Sequence, residues 1–283
     1  MTPVAKSLLM MSIGIGLITA NDAATKYLVL THPVGQVMCL RQAATLLVII
    51  PYLLYFNRWS QLRVVDWRGQ CGRGALFLSG SVFIVWGLGA LPLATAVTML
   101  FLSPIIMVAL SAPLLGERVG SHRWVAVIGG FAGVLIIMRP GGGAFEWALL
   151  LPLAGAFLNA LRDLLTRHLS RTETSLSILF WSNMVLMAGS ALTAPFGWAN
   201  VNSTAALWFV AAGVFNIGAH FFIIEALRIG EASAVAPIRY TALLWAAVLG
   251  YLVWGELPDL WLWAGAAVIV ASSLYMIRAE RRR

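Results

Sequence analysis

Long apolar stretches alternate with short polar connectors along the whole chain. A helix that crosses a bilayer needs roughly 20 apolar residues. By that measure the pattern predicts ten spans, at about 7–28, 34–56, 73–91, 93–115, 122–139, 146–167, 174–194, 204–228, 231–254 and 260–278. Almost every residue is assigned to membrane, so no soluble domain of useful size remains. The fold class expected is an all-α integral membrane protein of ten transmembrane helices.

The pattern also repeats. The stretch 90–139 recurs at 226–278, and from a Gly-Glu pair onward the two copies align without gaps. Gly116 matches Gly255, Glu117 matches Glu256, Trp124 matches Trp263, Ala132 matches Ala271 and Arg139 matches Arg278. Each copy reads apolar span, Gly-Glu break, apolar span. The predicted halves are 1–142 and 143–283, joined at Pro140-Gly141-Gly142-Gly143. Five spans per half is an odd number, so the second half enters the membrane from the opposite side. Two inverted repeats can exchange conformations and expose a midplane site to each side in turn.

Composition sharpens the class. Apolar residues make up 60% and charged residues 11%, whereas a soluble domain carries about 25% charged residues. The net charge of +8 would suit a nucleic-acid partner, but its distribution argues against one. With the N-terminus in the cytoplasm, Arg139 is the basic residue left in an outer connection. Lys26, Arg41 and Arg239 lie within spans, and the other lysines and arginines fall at inner ends. This positive-inside bias places both termini in the cytoplasm. Residues 1–20 mimic a signal peptide, yet the apolar run continues through Asn21 and Asp22 to Leu28, which favours an uncleaved first span.

Catalytic and cofactor signals are missing. Cys39 and Cys71 are too few for a disulfide framework or a metal site. None of His32, His122, His168 and His220 is followed by Glu, and neither a GxSxG elbow nor an ATP-binding loop occurs. The chain reads as a non-enzyme without cofactor or metal.

What remains is polar chemistry inside spans. A charge in hydrocarbon costs at least about 2.5–3.5 kcal/mol on insertion scales. Asp22 and Lys26 are four apart on one helix face, and Arg41 lies at matching depth across the next turn. The three are expected to form a structural charge cluster. Arg239 lies roughly 14 Å from the inner end of its span at 1.5 Å per residue, near the midplane. Its planar guanidinium suits a carboxylate ligand. Tyr240, Trp86, Phe101, Trp181 and Trp245 are candidates for cavity walls, and Asn159, Asn216 and His220 for hydrogen bonds to a solute. Pro104 should kink the fourth span. Gly129 and Gly133 form a GxxxG stripe suited to close helix packing.

These features together resemble the drug/metabolite transporter superfamily in its ten-span, EamA-type branch. The matching positions are Lys26, Arg41, Ala90-Leu91, Ala94-Thr95-Ala96, Pro104 and Gly116-Glu117 in the first half. In the second they are Arg167, Ala226-Leu227, Ala232-Ser233-Ala234 and Gly255-Glu256. One departure is Thr19-Ala20, where members often carry Trp. Within the family the chain looks most like YddG-type exporters of neutral and aromatic amino acids. That resemblance implies a multi-pass protein of the bacterial inner membrane with a central cavity built by both halves, exporting an amino acid as monomer or homodimer. A proton-coupled multidrug transporter, or a carrier of sugars or nucleotide sugars, is the alternative within the superfamily.

Overall fold

A computed structural model describes residues 3–115, 121–138, 147–169, 172–229 and 241–281. The described residues are helical throughout, without strands. The helices are α1 (Pro3–Val29), α2 (Val34–Tyr55), α3 (Trp67–Ala90), α4 (Leu93–Leu100), α5 (Leu102–Leu115), α6 (Ser121–Met138), α7 (Leu150–Leu169), α8 (Ser175–Ala191), α9 (Ser203–Ile229), α10 (Thr241–Trp254) and α11 (Leu260–Arg281). Among the described residues, six segments are long and apolar enough to cross a membrane: Lys6–Val29, Val34–Tyr55, Trp67–Ala90, Trp147–Thr166, Leu176–Phe196 and Ser203–Ile223. Shorter apolar helices cover Leu93–Met107, Val127–Met138, Thr241–Trp254 and Leu260–Ser272.

The fourth expected span is not one helix. It breaks at Phe101 into α4 and α5, with the Phe101 N–H folding back to the Thr98 carbonyl at 3.1 Å. Proline 104 has no N–H to offer the Leu100 carbonyl, so the α-helical ladder cannot pass that point unbroken. The kink expected from Pro104 falls at Phe101, whose backbone stays in the right-handed helical region (φ −65°, ψ −11°).

Connections are tied by side chains at both ends of the bundle. At one end Asp66 caps α3 through the Gly69 N–H (2.9 Å). There Glu173 accepts from Val65 and Asp66 N–H (2.7 and 2.9 Å), and Thr174 both caps α8 and donates to the Gln61 carbonyl. At the opposite end the Gln36 amide exchanges two bonds with the Ala199 backbone. Asn202 caps α9, and Asp259 caps α11.

Helix α1 packs along α9 and α3 along α7, while α2 lies on α8 and α6 on α11. Further contacts join α3 with α8, α2 with α9, α5 with α7, α1 with α10 and α4 with α10. The largest apolar core runs through α1, the end of α3, α4, α5, α6, α7, α10 and α11, with Met11, Leu88, Leu93, Met99, Leu102, Ile105 and Ile269 fully enclosed. Lipid is as apolar as leucine, so helices in a bilayer are joined by close packing of small residues. The GxxxG stripe serves this purpose within the chain. A Cβ on Gly133 would lie 2.6 Å from Ile269 Cγ1 and 2.8 Å from the Gly265 carbonyl, and one on Gly129 would strike Ser272.

Gly133→Val is therefore expected to force α6 off α11 and to cost about 1–3 kcal/mol, as overpacking does. Thermal unfolding in detergent should show a fall of several degrees. Gly72→Ala is the control, because the added methyl meets Leu165 at an ordinary 3.6 Å and should leave the midpoint unchanged.

Candidate functional site

Uncharged polar groups gather on the facing sides of α2, α8 and α9. The Gln42 amide donates to Asn183 Oδ1, joining α2 to α8 inside the bundle. Both residues are buried. Asn216 on α9 reaches Thr45 Oγ1 on α2 at 3.5 Å, and Thr45 donates to the Arg41 carbonyl at 3.1 Å. Asn183, Asn216, Thr45 and His220 share one open groove of about 580 Å³ with apolar residues such as Val48, Ile49 and Leu179, and exposed Tyr52 and Phe221 lie at its edge. A recess of this size falls in the range that holds metabolite-sized ligands, about 300–1,000 Å³.

A seam of charge lies beside it on α1 and α2. Arg41 donates to Thr25 Oγ1 at 3.0 Å, and Asp22 accepts from the Asn21 amide at 3.2 Å. Among the described residues, Asn21 Oδ1, Arg41 Nε and Gln42 Oε1 are buried without a hydrogen-bond partner. Buried polar atoms left over in this way are the ones that ordered water or a ligand satisfies.

The sequence grouped Asp22, Lys26 and Arg41, and the structure divides them. Lys26 turns away from Asp22 to form an ion pair with Glu256. Its long stem carries the ammonium one turn toward the helix end, where a second carboxylate and a free carbonyl are waiting. Arg41 stays near Asp22 without closing an ion pair on it. Arg73, assigned by the sequence to an inner connection, is buried instead. It donates to Thr166 (2.6 Å), the Ile178 carbonyl (3.4 Å) and Ser182, tying α3 to α7 and α8.

The cavity candidates scatter. Asn216 and His220 share the groove as their spacing of four suggests. Trp181 sits beside it but points its Nε1 to the Leu62 carbonyl at 3.0 Å and packs edge-on to Trp67. Trp86 is 56% exposed and lines a separate, largely apolar groove between α2, α3 and α8. Asn159 faces Gly80 on α3, Trp245 covers Gly16 on α1, and Phe101 marks the α4–α5 break. Arg239 and Tyr240 lie outside the described residues. Gln42 and Thr45 were missed, although Gln42 stands out as an amide next to Arg41 in an otherwise apolar helix.

The recess is a mostly apolar groove carrying a few amides and hydroxyls, in a bundle of apolar helices. The chain matches the EamA-like transporter family twice, over residues 6–139 and 146–278, and it belongs to that family of membrane transporters. It is 33% identical to the riboflavin transporter of Rhizobium johnstonii over 83% of this chain and 78% of that one. It is 29% identical to the S-adenosylmethionine uptake transporter of Rickettsia prowazekii, over 93% and 89% respectively. A solved crystal structure shares the fold with a TM-score of 0.62 at 21% identity, covering 98% of both chains. Family and relatives are transporters rather than enzymes. Neither relative is named an amino-acid exporter, so what the comparisons share with the chain is the family.

The groove's central tie can be tested by removing it. Asn183→Ala leaves the Gln42 amide unpaired in a buried place, which typically costs about 1–3 kcal/mol. The double variant Gln42→Leu with Asn183→Leu replaces both partners by apolar groups and should recover most of the lost stability. Unfolding midpoints of the single and double variants check this.

Proposed function

We propose that this chain carries a small water-soluble metabolite across a bacterial inner membrane by alternating access. The metabolite bears a flat nitrogen heterocycle and a polar tail, the chemistry that riboflavin and S-adenosylmethionine share. The observation that carries this reading is the groove lining. Asn183 and Asn216 each offer both a donor and an acceptor, as a ring edge of mixed polarity requires. Tyr52 and Phe221 add aromatic surface beside them. Neutral and aromatic amino acids are the second reading, favoured by Arg239 and by the amino-acid tail of S-adenosylmethionine.

Alternating access draws support from the packing. Exchange α1 with α7, α2 with α8, α3 with α9, α4–α5 with α10, and α6 with α11. The most extensive helix pairings then map onto one another: α1·α9 onto α7·α3, α3·α8 onto α9·α2, α5·α7 onto α10·α1, with α2·α8, α4·α10 and α6·α11 mapping onto themselves. Helix α1 runs toward Leu91 at the end of α3, and α7 runs toward Arg73 at its start. The two therefore point in opposite directions, as an inverted repeat of 1–142 and 143–283 requires. Arg58, Arg63 and Arg68 cluster at the Gln61 end, which fits a cytoplasmic face there.

Counterflow in proteoliposomes tests the substrate class. Riboflavin, S-adenosylmethionine, phenylalanine, glucose and tetraphenylphosphonium should be compared, with and without a pH gradient. Flux of the first two above the rest is the expected result. Fluxes confined to phenylalanine would install the amino-acid reading, and fluxes confined to the organic cation would remove both.

Arg239→Ala separates the two tails. Loss of a buried charge-assisted partner costs about 2–5 kcal/mol. S-adenosylmethionine and phenylalanine carry a carboxylate, and their flux should fall on the order of 30-fold or more. Riboflavin carries none and should be spared. Equal loss for all three, with a lowered unfolding midpoint, would mark Arg239 as a structural residue.

A further inference from the structure

The Lys26–Glu256 pair joins segments 230 residues apart, α1 and the turn between α10 and α11. It does more than neutralise two charges. Glu256 Oε2 accepts from the Leu93 N–H at 2.8 Å, and Lys26 Nζ donates to the Leu91 carbonyl at 2.8 Å. Leu93 opens α4 behind Pro92, which offers no side-chain cap. Leu91 ends α3 in an extended conformation. The connection thus presents one orphan donor and one orphan acceptor at the membrane end. Glu256 satisfies the first, where the helix dipole also favours a carboxylate, and Lys26 satisfies the second. The Trp254 ring lies 4.9 Å from the ammonium.

The turn is shaped to deliver the carboxylate. Gly255 adopts φ +68°, and the Glu256 N–H returns to the Gly250 carbonyl at 3.1 Å, so Glu256 folds back over the end of α10. Gly250 leaves the space: a Cβ there would lie 3.1 Å from Glu256 Oε2. The Lys26 side chain is 5% exposed and that of Glu256 22%. One partner is therefore already reached by water, and separation requires hydrating a half-solvated pair rather than a dry one. Just beneath, Leu93 and Ala94 are packed into the main core.

We propose that Lys26 and Glu256 are the outer latch of the transport cycle. The pair holds α1 and the α3–α4 link against α10–α11 while the far side of the membrane is shut off, and its separation opens that side. This rests on the alternating-access reading above. The latch closes the end where Glu256 replaces water as the cap of α4, so opening exposes the α4 N-terminus to solvent.

Two measurements decide it, both in a Cys39→Ala, Cys71→Ser background. In the first, Ala94→Cys reports access from the medium to a membrane-impermeant maleimide in intact cells. Glu256→Gln keeps a hydrogen-bonding group but removes the charge. It should speed labelling roughly tenfold, the ratio that about 1.4 kcal/mol produces. A labelling rate unchanged by Glu256→Gln and by Lys26→Gln overturns the proposal. A rate raised only together with a collapse of the unfolding midpoint also overturns it, because that is the signature of a structural cap. In the second, Lys26→Cys with Glu256→Cys is bridged by a short thiol-to-thiol cross-linker. Riboflavin counterflow should stop on bridging and return with reductant. A bridged protein that transports at the unbridged rate overturns the latch. If riboflavin does not move at all, the substrate reading fails, while the labelling measurement, which needs no substrate, still decides the latch.

Discussion

Hydrocarbon cannot hydrogen-bond, so each charge and amide placed between the ends of these helices must find its partner inside the chain or in trapped water. That requirement organises the bundle more than any apolar contact does. Arg73 is served by α7 and α8, Gln42 by α8, Arg41 by α1, and Lys26 by the α3–α4 link and Glu256. The Arg41 bond joins neighbouring helices, and the others join helices far apart in sequence. Together they fix which helix faces which, while glycines such as Gly14, Gly133 and Gly213 fix how closely they approach.

The polar ties and the apolar core are distributed unevenly. The main core binds α1 to α4, α5, α6, α7, α10 and α11 over most of their length. Around α2, α8 and α9 the apolar clusters are small, one near Leu28, Val37 and Leu186 and another near Leu46, Ile49 and Leu53. The groove lies against the second cluster, where the described apolar clusters are small and the Gln42–Asn183 and Asn216–Thr45 bonds join the helices. Elements held this way open at lower free energy than a packed core. A site that must bind and release belongs there.

The helical membrane fold was legible because apolar length is a property of single segments, readable one at a time. Lys26 shows where that kind of reading ends. Spacing of four placed it with Asp22, since both lie on one face of α1. Its flexible stem instead reaches along the helix toward the membrane end, and the carboxylate it meets is carried by a turn in the other half. No local periodicity encodes that choice. The tryptophans failed for a related reason. In a span apolar on every face, a deep indole serves a cavity wall, a lipid-facing surface or a helix contact equally well. Trp86, Trp245 and Trp181 went to different neighbours. Asn216 and His220 do line one groove, because polar residues four apart in such a span share a face.

Glu256 connects the repeat in the sequence to the chemistry in the structure. The alignment of the two halves is anchored on Gly116-Glu117 and Gly255-Glu256. At the second pair the two residues have separable duties: glycine supplies the left-handed turn, and glutamate supplies the carboxylate that the turn aims at an uncapped helix. A proline-led helix start leaves its first N–H without a local acceptor, and in a membrane that N–H cannot be left to solvent without cost. A remote carboxylate on a rigid turn answers this, and it makes one half of the chain depend on the other for its cap. The first pair lies outside the described residues. The sequence nevertheless carries the same glycine and glutamate at both places, so the two residue types from which such a tie is made travel together in the repeated pattern.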